Sequence, residues 1–240
     1  MEGVFRFKQF EVRNEASALK VGTDAVVLGA SMTLKPSDAR LLDIGTGTGV
    51  IALMAAQRLS ELAGESPAGQ FMIEAIDIDG PSADEAAGNF AASVWSAHLK
   101  AVHSALSDYA AGEYDLIFSN PPYYDNSLTN PDARETAARH TGALSYRDIC
   151  AFAARSLAPE GRLSLILPYD ALTSLRRTAA SFGLYPFRLI AVRTTPAKAP
   201  RRLVAEFSRT RADVQEETLT LQEGQSRTEE YAALTRAFYL

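Results

Sequence analysis

The sequence predicts an α/β protein in which a mostly parallel β-sheet is covered by helices on both faces. Apolar runs typical of buried strands alternate with helix-like segments over most of the 240 residues. A glycine-rich turn at 45–49 joins one of these strands to the helix that follows it. Two later strand-like runs have no helix between them, which predicts an antiparallel hairpin at the edge of the sheet.

The elements follow from these patterns in chain order. The run VFRFKQFEV (4–12) predicts a strand or hairpin, and GTDAVVLGASM (22–32) predicts a short helix with Thr23 or Asp24 as its cap. Ser82 is the expected cap of a later helix, and Gly64 is an expected helix stop. Strands are predicted at 39–45, 70–79, 100–106, 114–120, 162–168, 184–194 and 202–210. Helices are predicted at 49–64, 82–99, 146–161, 170–183 and 227–240.

Composition narrows the class of protein. With 47% hydrophobic and 22% charged residues, the chain is ordinary globular protein, and residues 1–240 suit a single domain. No apolar run reaches about 18 residues, and no secretory signal is visible. One cysteine, Cys150, and three scattered histidines offer neither a disulfide nor metal-ligand spacing. We therefore expect a cytoplasmic protein with no membrane partner and no metal.

The glycine-rich turn is the first candidate ligand site. Its spacing, G-x-G-x-G, is neither the dinucleotide fingerprint G-x-G-x-x-G nor a phosphate-binding P-loop. Such a turn lets a ligand approach the backbone closely, and the alternative is a purely structural turn. The candidate contacts in this turn are Asp43, Gly45, Gly47 and Gly49.

A carboxylate at the end of the next strand adds to this site. Asp77 can accept hydrogen bonds from both hydroxyls of a ribose, whereas Asp79 is better explained as a helix cap or a solvated acid. Together the turn and Asp77 fit a nucleoside ligand without a pyrophosphate, such as S-adenosyl-L-methionine. The combination resembles class I methyltransferases.

The stretch LIFSNPPYYDNS places a rigid, polar segment directly after a buried strand. Its candidate catalytic residues are Asn120, Pro121, Pro122 and Tyr123. The Asn120 side-chain oxygen and the Pro121 carbonyl can accept the two hydrogens of an exocyclic amine and aim its lone pair at a methyl donor. Tyr123 offers a ring for stacking a planar target. The tetrapeptide resembles the N-P-P-Y motif of enzymes that methylate adenine N6, cytosine N4 or glutamine amide nitrogen.

Blocks spread along nearly the whole chain resemble the bacterial tRNA1(Val) (adenine-37-N6)-methyltransferase family. They are FRFKQF, KVGTDAVVLGAS, DIGTGTGVIALMAAQR, FSNPPYY, ARHTGALS and YAALTRAFYL. The resemblance implies a Rossmann-like class I methyltransferase with a mostly parallel seven-stranded sheet, acting on an adenine of tRNA with S-adenosylmethionine as cofactor. It also implies that residues 1–35 pack over the cofactor site, with Thr23 and Asp24 near the methionine end of the donor. Asn120 would contact the cofactor as well.

Candidate tRNA contacts lie in two loops. Arg139 and His140 follow the catalytic motif, where an Arg can meet phosphate and a His can stack on a base. The segment 193–202 is basic although the net charge of the chain is −5, and a solvated loop is its alternative. Its candidate cations are Arg193, Lys198, Arg201 and Arg202.

Several choices stay open from the sequence. The cofactor adenine can be met by a backbone amide near Ala105 and Leu106 or by Asp108. A protein glutamine methyltransferase shares the N-P-P-Y motif, and a non-catalytic RNA-binding module can share the fold. The protein is expected to be a monomer.

Overall fold

The computed structural model describes residues 3–17, 20–64, 71–110, 112–122 and 144–240. Within them, the central sheet has eight strands in the spatial order β10-β8-β9-β7-β6-β3-β4-β5. These strands are β3 (Arg40–Ile44), β4 (Met72–Asp77), β5 (Leu99–His103), β6 (Tyr114–Ser119), β7 (Leu157–Pro168), β8 (Tyr185–Arg193), β9 (Arg202–Ser208) and β10 (Gln215–Thr220). Every neighbouring pair is parallel except β7 with β9 and β8 with β9, so β9 is the one antiparallel strand.

Helices and two small hairpins complete the described chain. The helices are α1 (Thr23–Ser31), α2 (Val50–Ala63), α3 (Gly80–Ala91), α4 (Tyr146–Ser156), α5 (Leu172–Ser181) and α6 (Glu229–Thr235). The hairpins are β1 (Val4–Arg6) with β2 (Glu11–Arg13), and β11 (Gln222–Glu223) with β12 (Ser226–Arg227). None of these helices is both long and apolar enough to cross a membrane.

Helices cover both faces of the sheet, as the sequence predicts. Leu41 packs into an apolar core with α1, α2 and α3, whereas its neighbour Leu42 packs into a second core with α4 and α5. Successive side chains of a strand point to opposite faces, so this alternation requires an apolar layer on each side. The Rossmann-like fold class is confirmed.

The sheet has eight strands rather than the predicted seven. The additional strand, β10, lies parallel to β8 and takes the edge, while β9 lies one strand further in, between β7 and β8. The β10 sequence QEETLT carries no apolar alternation, and its first four residues are exposed. An edge strand with a solvated face needs little apolar pattern, which explains why the sequence did not reveal it.

Four local predictions need correction. Gly22, not Thr23 or Asp24, is the N-cap of α1 and makes no side-chain cap bond. Asp79, not Ser82, caps α3, and its carboxylate accepts the Ser82 N–H at 3.0 Å. The predicted helices 82–99 and 146–161 are shorter, and α4 ends at Ser156 because Pro159 excludes a helix there.

Candidate active site

The carboxyl ends of the parallel strands β3, β4 and β6 meet at one edge of the sheet, where ligands of such folds bind. A cavity of about 740 Å³ opens at this edge. Gly45 and Gly47 after β3, Asp77 at the end of β4 and Pro122 after β6 all line it. The structure thus brings together predicted residues that are far apart in sequence.

The glycine turn has the backbone that only glycine adopts easily. Gly45, Gly47 and Gly49 have φ values of 71°, 56° and 80°. Gly49 does not line the cavity, and a Cβ there would lie 2.5 Å from the Phe90 ring. Two of the three glycines therefore border the cavity, and the third allows the turn to pack on α3.

Asp43 lies beneath the turn and is 0% exposed. Burial raises the pKa of its carboxyl to about 7, the hydrogen bond from Thr46 acts in the opposite direction, and the charge of Asp77 adds to the rise. The Thr46 hydroxyl donates to Oδ2 at 2.7 Å. The Ala52 N–H faces the carboxylate, but Oδ1 makes no hydrogen bond of standard geometry among the described residues. Asp43 does not line the cavity, so its carboxyl supports the turn from beneath rather than facing the ligand space.

Asp77 connects the two turns that border the cavity. Its Oδ2 accepts the Gly47 N–H at 2.8 Å, and its Oδ1 accepts the Asp79 N–H at 2.9 Å. A carboxylate accepts about four hydrogen bonds, which leaves capacity for the two hydroxyls of a ribose. The residues that line the cavity therefore fit a cofactor with a ribose. The ribose contact itself stays a prediction.

The rest of the cavity wall comes from segments that the sequence analysis largely missed. The loop after β5 contributes Ala105 and Leu106, whereas Asp108 does not line the cavity, which favours the first of the two adenine contacts considered. Helix α4 also lines the cavity, through Asp148 and Arg155. Ordinary loop and helix residues carry no signal that would mark them as cavity walls.

The predicted catalytic motif starts where β6 ends. The Ser119 hydroxyl donates to the Ile44 carbonyl at 2.6 Å and so ties the end of β6 to the end of β3. Asn120 follows half-buried and Pro121 is buried, and of these three residues only Pro122 lines the cavity. Of the other predicted substrate contacts, Tyr123, Arg139 and His140 lie outside the described residues.

The remaining predicted site residues do not line the cavity. Neither Thr23 nor Asp24 lines it, and Asp24 Oδ2 accepts a hydrogen bond from Arg202 Nε at 2.6 Å. Arg193 Nε donates to the Thr220 hydroxyl at 2.9 Å. The other two cations of the loop, Lys198 and Arg201, are exposed. No group of three or more His, Cys, Asp or Glu suited to a metal occurs in the part of the chain that the structure describes.

Solved structures similar to this fold are methyltransferases. A predicted O-methyltransferase from Agrobacterium tumefaciens has a TM-score of 0.65 at 17% identity, and the match covers 90% of this chain and 96% of that one. A methyltransferase from Pyrococcus furiosus has a TM-score of 0.59 at 20% identity, with 82% and 89% covered. Identities this low support the fold alone.

Proteins of similar sequence give more specific information about the family of this chain than the solved structures do. The family model described as "Methyltransferase small domain" matches residues 17–171. The tRNA1(Val) (adenine(37)-N6)-methyltransferase of Bacteroides fragilis is 41% identical over 98% of this chain and 97% of its own length. The proteins of the same name from Tolumonas auensis and Flavobacterium psychrophilum are 40% and 37% identical, covering 98% and 99% of this chain and 96% and 99% of their own. The chain is therefore an S-adenosylmethionine-dependent methyltransferase of the methyltransferase small domain family, and it belongs to the tRNA1(Val) (adenine(37)-N6)-methyltransferase family.

Proposed function

We propose that this enzyme transfers a methyl group from S-adenosylmethionine to the exocyclic N6 amine of adenine 37 in tRNA1(Val). The observation that carries the proposal is that the motif Asn120-Pro121-Pro122 directly follows β6 and that its Pro122 lines the cavity bordered by Gly45, Gly47 and Asp77. The names of relatives that match the chain over almost its whole length support the choice of tRNA as substrate.

The motif suits an amine of this kind. The N6 lone pair of adenine is delocalised into the ring, so the amine is a poor nucleophile. When the Asn120 side-chain oxygen and the Pro121 carbonyl accept its two hydrogens, the nitrogen is oriented and its developing positive charge is stabilised. The cofactor supplies an electrophilic methyl group on a sulfonium. As the N–C bond forms the S–C bond breaks, and the cationic product then loses a proton to water.

The loop after β8 supports contact with RNA at the same edge of the sheet. Strand β8 runs in the same direction as β7 and β6, so its carboxyl end lies at the edge of the sheet where β6 leads into Asn120. Lys198 and Arg201 are exposed in this loop and can contact phosphates, whereas the side chain of Arg193 donates a hydrogen bond to Thr220.

We also propose that the enzyme acts as a monomer in the cytoplasm, the expected location of its tRNA substrate.

Methyl transfer from labelled S-adenosylmethionine tests the proposal directly. We expect total tRNA and a tRNA1(Val) transcript to accept label, and a transcript with guanine at position 37 to accept none. Mass spectrometry of nucleosides should show N6-methyladenosine missing from this tRNA in cells that lack the gene. Label in protein and none in RNA would instead support glutamine methylation. Cofactor binding without transfer to either would support a non-catalytic module.

A further inference from the structure

One face of α3 holds the chain segment that follows the first hairpin. Glu85 and Asn89 are four residues apart, which places them one above the other on the helix. Glu85 Oε1 accepts the N–H groups of Glu15 at 2.7 Å and Ala16 at 2.9 Å, and its Oε2 accepts the Ser17 N–H at 2.8 Å. One carboxylate therefore fixes three successive residues of this segment.

The charge of Glu85 suits this arrangement. Successive backbone N–H groups that converge form a concavity that binds anions, and here the protein supplies the anion itself. Burial alone would raise the pKa of Glu85, but the hydrogen bonds from Ala16, Glu15 and Ser17 outweigh it, and the pKa of the carboxyl is lowered. The carboxylate is thus ionised wherever the enzyme works near neutral pH.

Asn89 joins the same segment to the glycine turn. Its Oδ1 accepts the Arg13 N–H at 2.8 Å, and its Nδ2 donates to the Arg13 carbonyl at 3.0 Å and to the Thr48 carbonyl at 2.9 Å. Thr48 lies between two of the glycines of the turn. Since Asn89 is only 2% exposed, its amide is committed to these backbone groups.

The segment held in this way reaches the cavity. Ser17 is 2% exposed and lines the cavity together with Asp79 and Ser82. The Ser82 hydroxyl donates to Asp79 Oδ2 at 2.6 Å and lies 3.3 Å from the Ser17 hydroxyl. Neither Glu85 nor Asn89 lines the cavity.

We infer that Glu85 and Asn89 are positioning residues for the cofactor, because they hold the segment Arg13–Ser17, whose last residue lines its cavity. They do not touch the cofactor. They act through the backbone of this segment and, for Asn89, through the glycine turn. The inference rests on the cavity being the cofactor site of the proposed reaction, but it does not depend on which substrate is methylated.

Calorimetry with S-adenosylmethionine and steady-state kinetics on the full chain test this role. For Glu85→Ala we expect the cofactor Kd and KM to rise roughly tenfold, the effect of losing hydrogen bonds to a charged group, with kcat at saturating cofactor unchanged. Glu85→Gln keeps one acceptor oxygen and should lie between wild type and Ala, and it replaces Glu85→Ala in the test if that variant does not fold. Asp84→Ala is the matched control, since it removes an exposed charge from the same helical turn and should leave Kd unchanged.

Hydrogen exchange adds a readout that a purely structural role would not change. In the wild type, bound S-adenosylmethionine should slow exchange at the amides of residues 15–17, and Glu85→Ala should lose this protection. A Kd of Glu85→Ala within about twofold of wild type would overturn the inference, as would a fall in kcat at unchanged Kd or an equal loss of affinity in Asp84→Ala. Because these measurements need only the cofactor, a wrong tRNA target would leave their outcome unaffected.

Discussion

Asn120 is the residue at which the proposed chemistry can be separated from cofactor binding. Replacing Asn120 with Ala removes an acceptor that grips the amine only during methyl transfer, so we expect kcat to fall by about 100-fold or more. The Kd of S-adenosylmethionine should change little, as measured by calorimetry. Asn120→Asp is the comparison, because it keeps an acceptor oxygen and should lose less. If kcat and cofactor affinity fall in parallel in the Ala variant, the assigned role is wrong.

Asp43 gives the folded protein a characteristic dependence on pH. Its carboxyl has a pKa of about 7 when folded because of burial, against 3.8 for the free group. Between these values the folded protein holds a proton that the unfolded chain has released, so the free energy of unfolding falls as the pH rises. The loss is complete above about pH 7 and amounts to at most about 4 kcal/mol.

Thermal unfolding of the cofactor-free protein at pH 5 and pH 8 measures this effect. Asn cannot ionise, so the fall in the free energy of unfolding that Asp43 causes between pH 5 and pH 8 should be missing from Asp43→Asn. The stability of the variant relative to wild type should therefore improve toward pH 8. The comparison of the two proteins removes the contribution of every other titrating group. Parallel stability curves for wild type and variant would show that Asp43 does not ionise in this range.

A functional residue can be predicted from the sequence when its residue type is unusual for its position. Three glycines in a strand-to-helix turn and an Asn before two prolines have few structural explanations, and the structure brings Gly45 and Gly47 to the same cavity as Pro122. Glu85 and Asn89 give no such signal, because a carboxylate and an amide on a helix look like a solvated face. Their contacts are with residues 13–17, which lie about 70 residues away along the chain.

The cations of the basic loop between β8 and β9 differ in their contacts. Arg202 forms an ion pair with Asp24 of α1, and the two side chains are 35% and 27% exposed. Lys198 and Arg201 lie exposed in the same loop. We therefore expect Arg202 to hold the loop against α1, and Lys198 and Arg201 to contact phosphate.

The salt dependence of tRNA binding distinguishes these roles. The slope of log K for tRNA binding against log salt concentration is negative. Neutralising Lys198 and Arg201 together should make this slope less steep by about 1.5, because each lost phosphate contact contributes roughly 0.7–0.9. Arg202→Met should leave the slope unchanged. Arg211→Ala is the control at the opposite edge, beyond β9, where the guanidinium lies 4.3 Å from the Tyr185 ring. An unaltered slope in the double variant, or a flattened one in Arg202→Met, would contradict this assignment.

Elements with a strong apolar pattern could be predicted, and those without one could not. The strands that fill both cores, such as LLDI and LIFS, stand out because both of their faces are buried. Strand β10 is polar, and its place in the sheet follows from backbone pairing with β8 and from the Arg188–Glu217 ion pair at 2.7 Å. Contacts of this kind leave no periodic trace in the sequence.

At the scale of the whole molecule, residues near the two ends of the described chain contact each other through hydrogen bonds and ring stacking. The Lys8 N–H donates to the Phe238 carbonyl at 2.8 Å, and the Lys8 ammonium donates to the Arg236 carbonyl at 2.7 Å. The Phe7 and Tyr239 rings stack with centroids 6.2 Å apart. Since the first hairpin leads into the segment Arg13–Ser17, these contacts connect the C-terminal residues to the segment whose Ser17 lines the cavity.

Phe238 tests how much this contact contributes to stability. The side chain is 1% exposed, so Phe238→Ala removes a buried ring and leaves a cavity, and we expect the free energy of unfolding to fall by about 3–5 kcal/mol. Leu240 is 84% exposed, and Leu240→Ala should change stability by less than about 0.5 kcal/mol. Urea unfolding followed by circular dichroism measures both. Equal stability of the two variants would mean that packing of the Phe238 ring does not stabilise the fold.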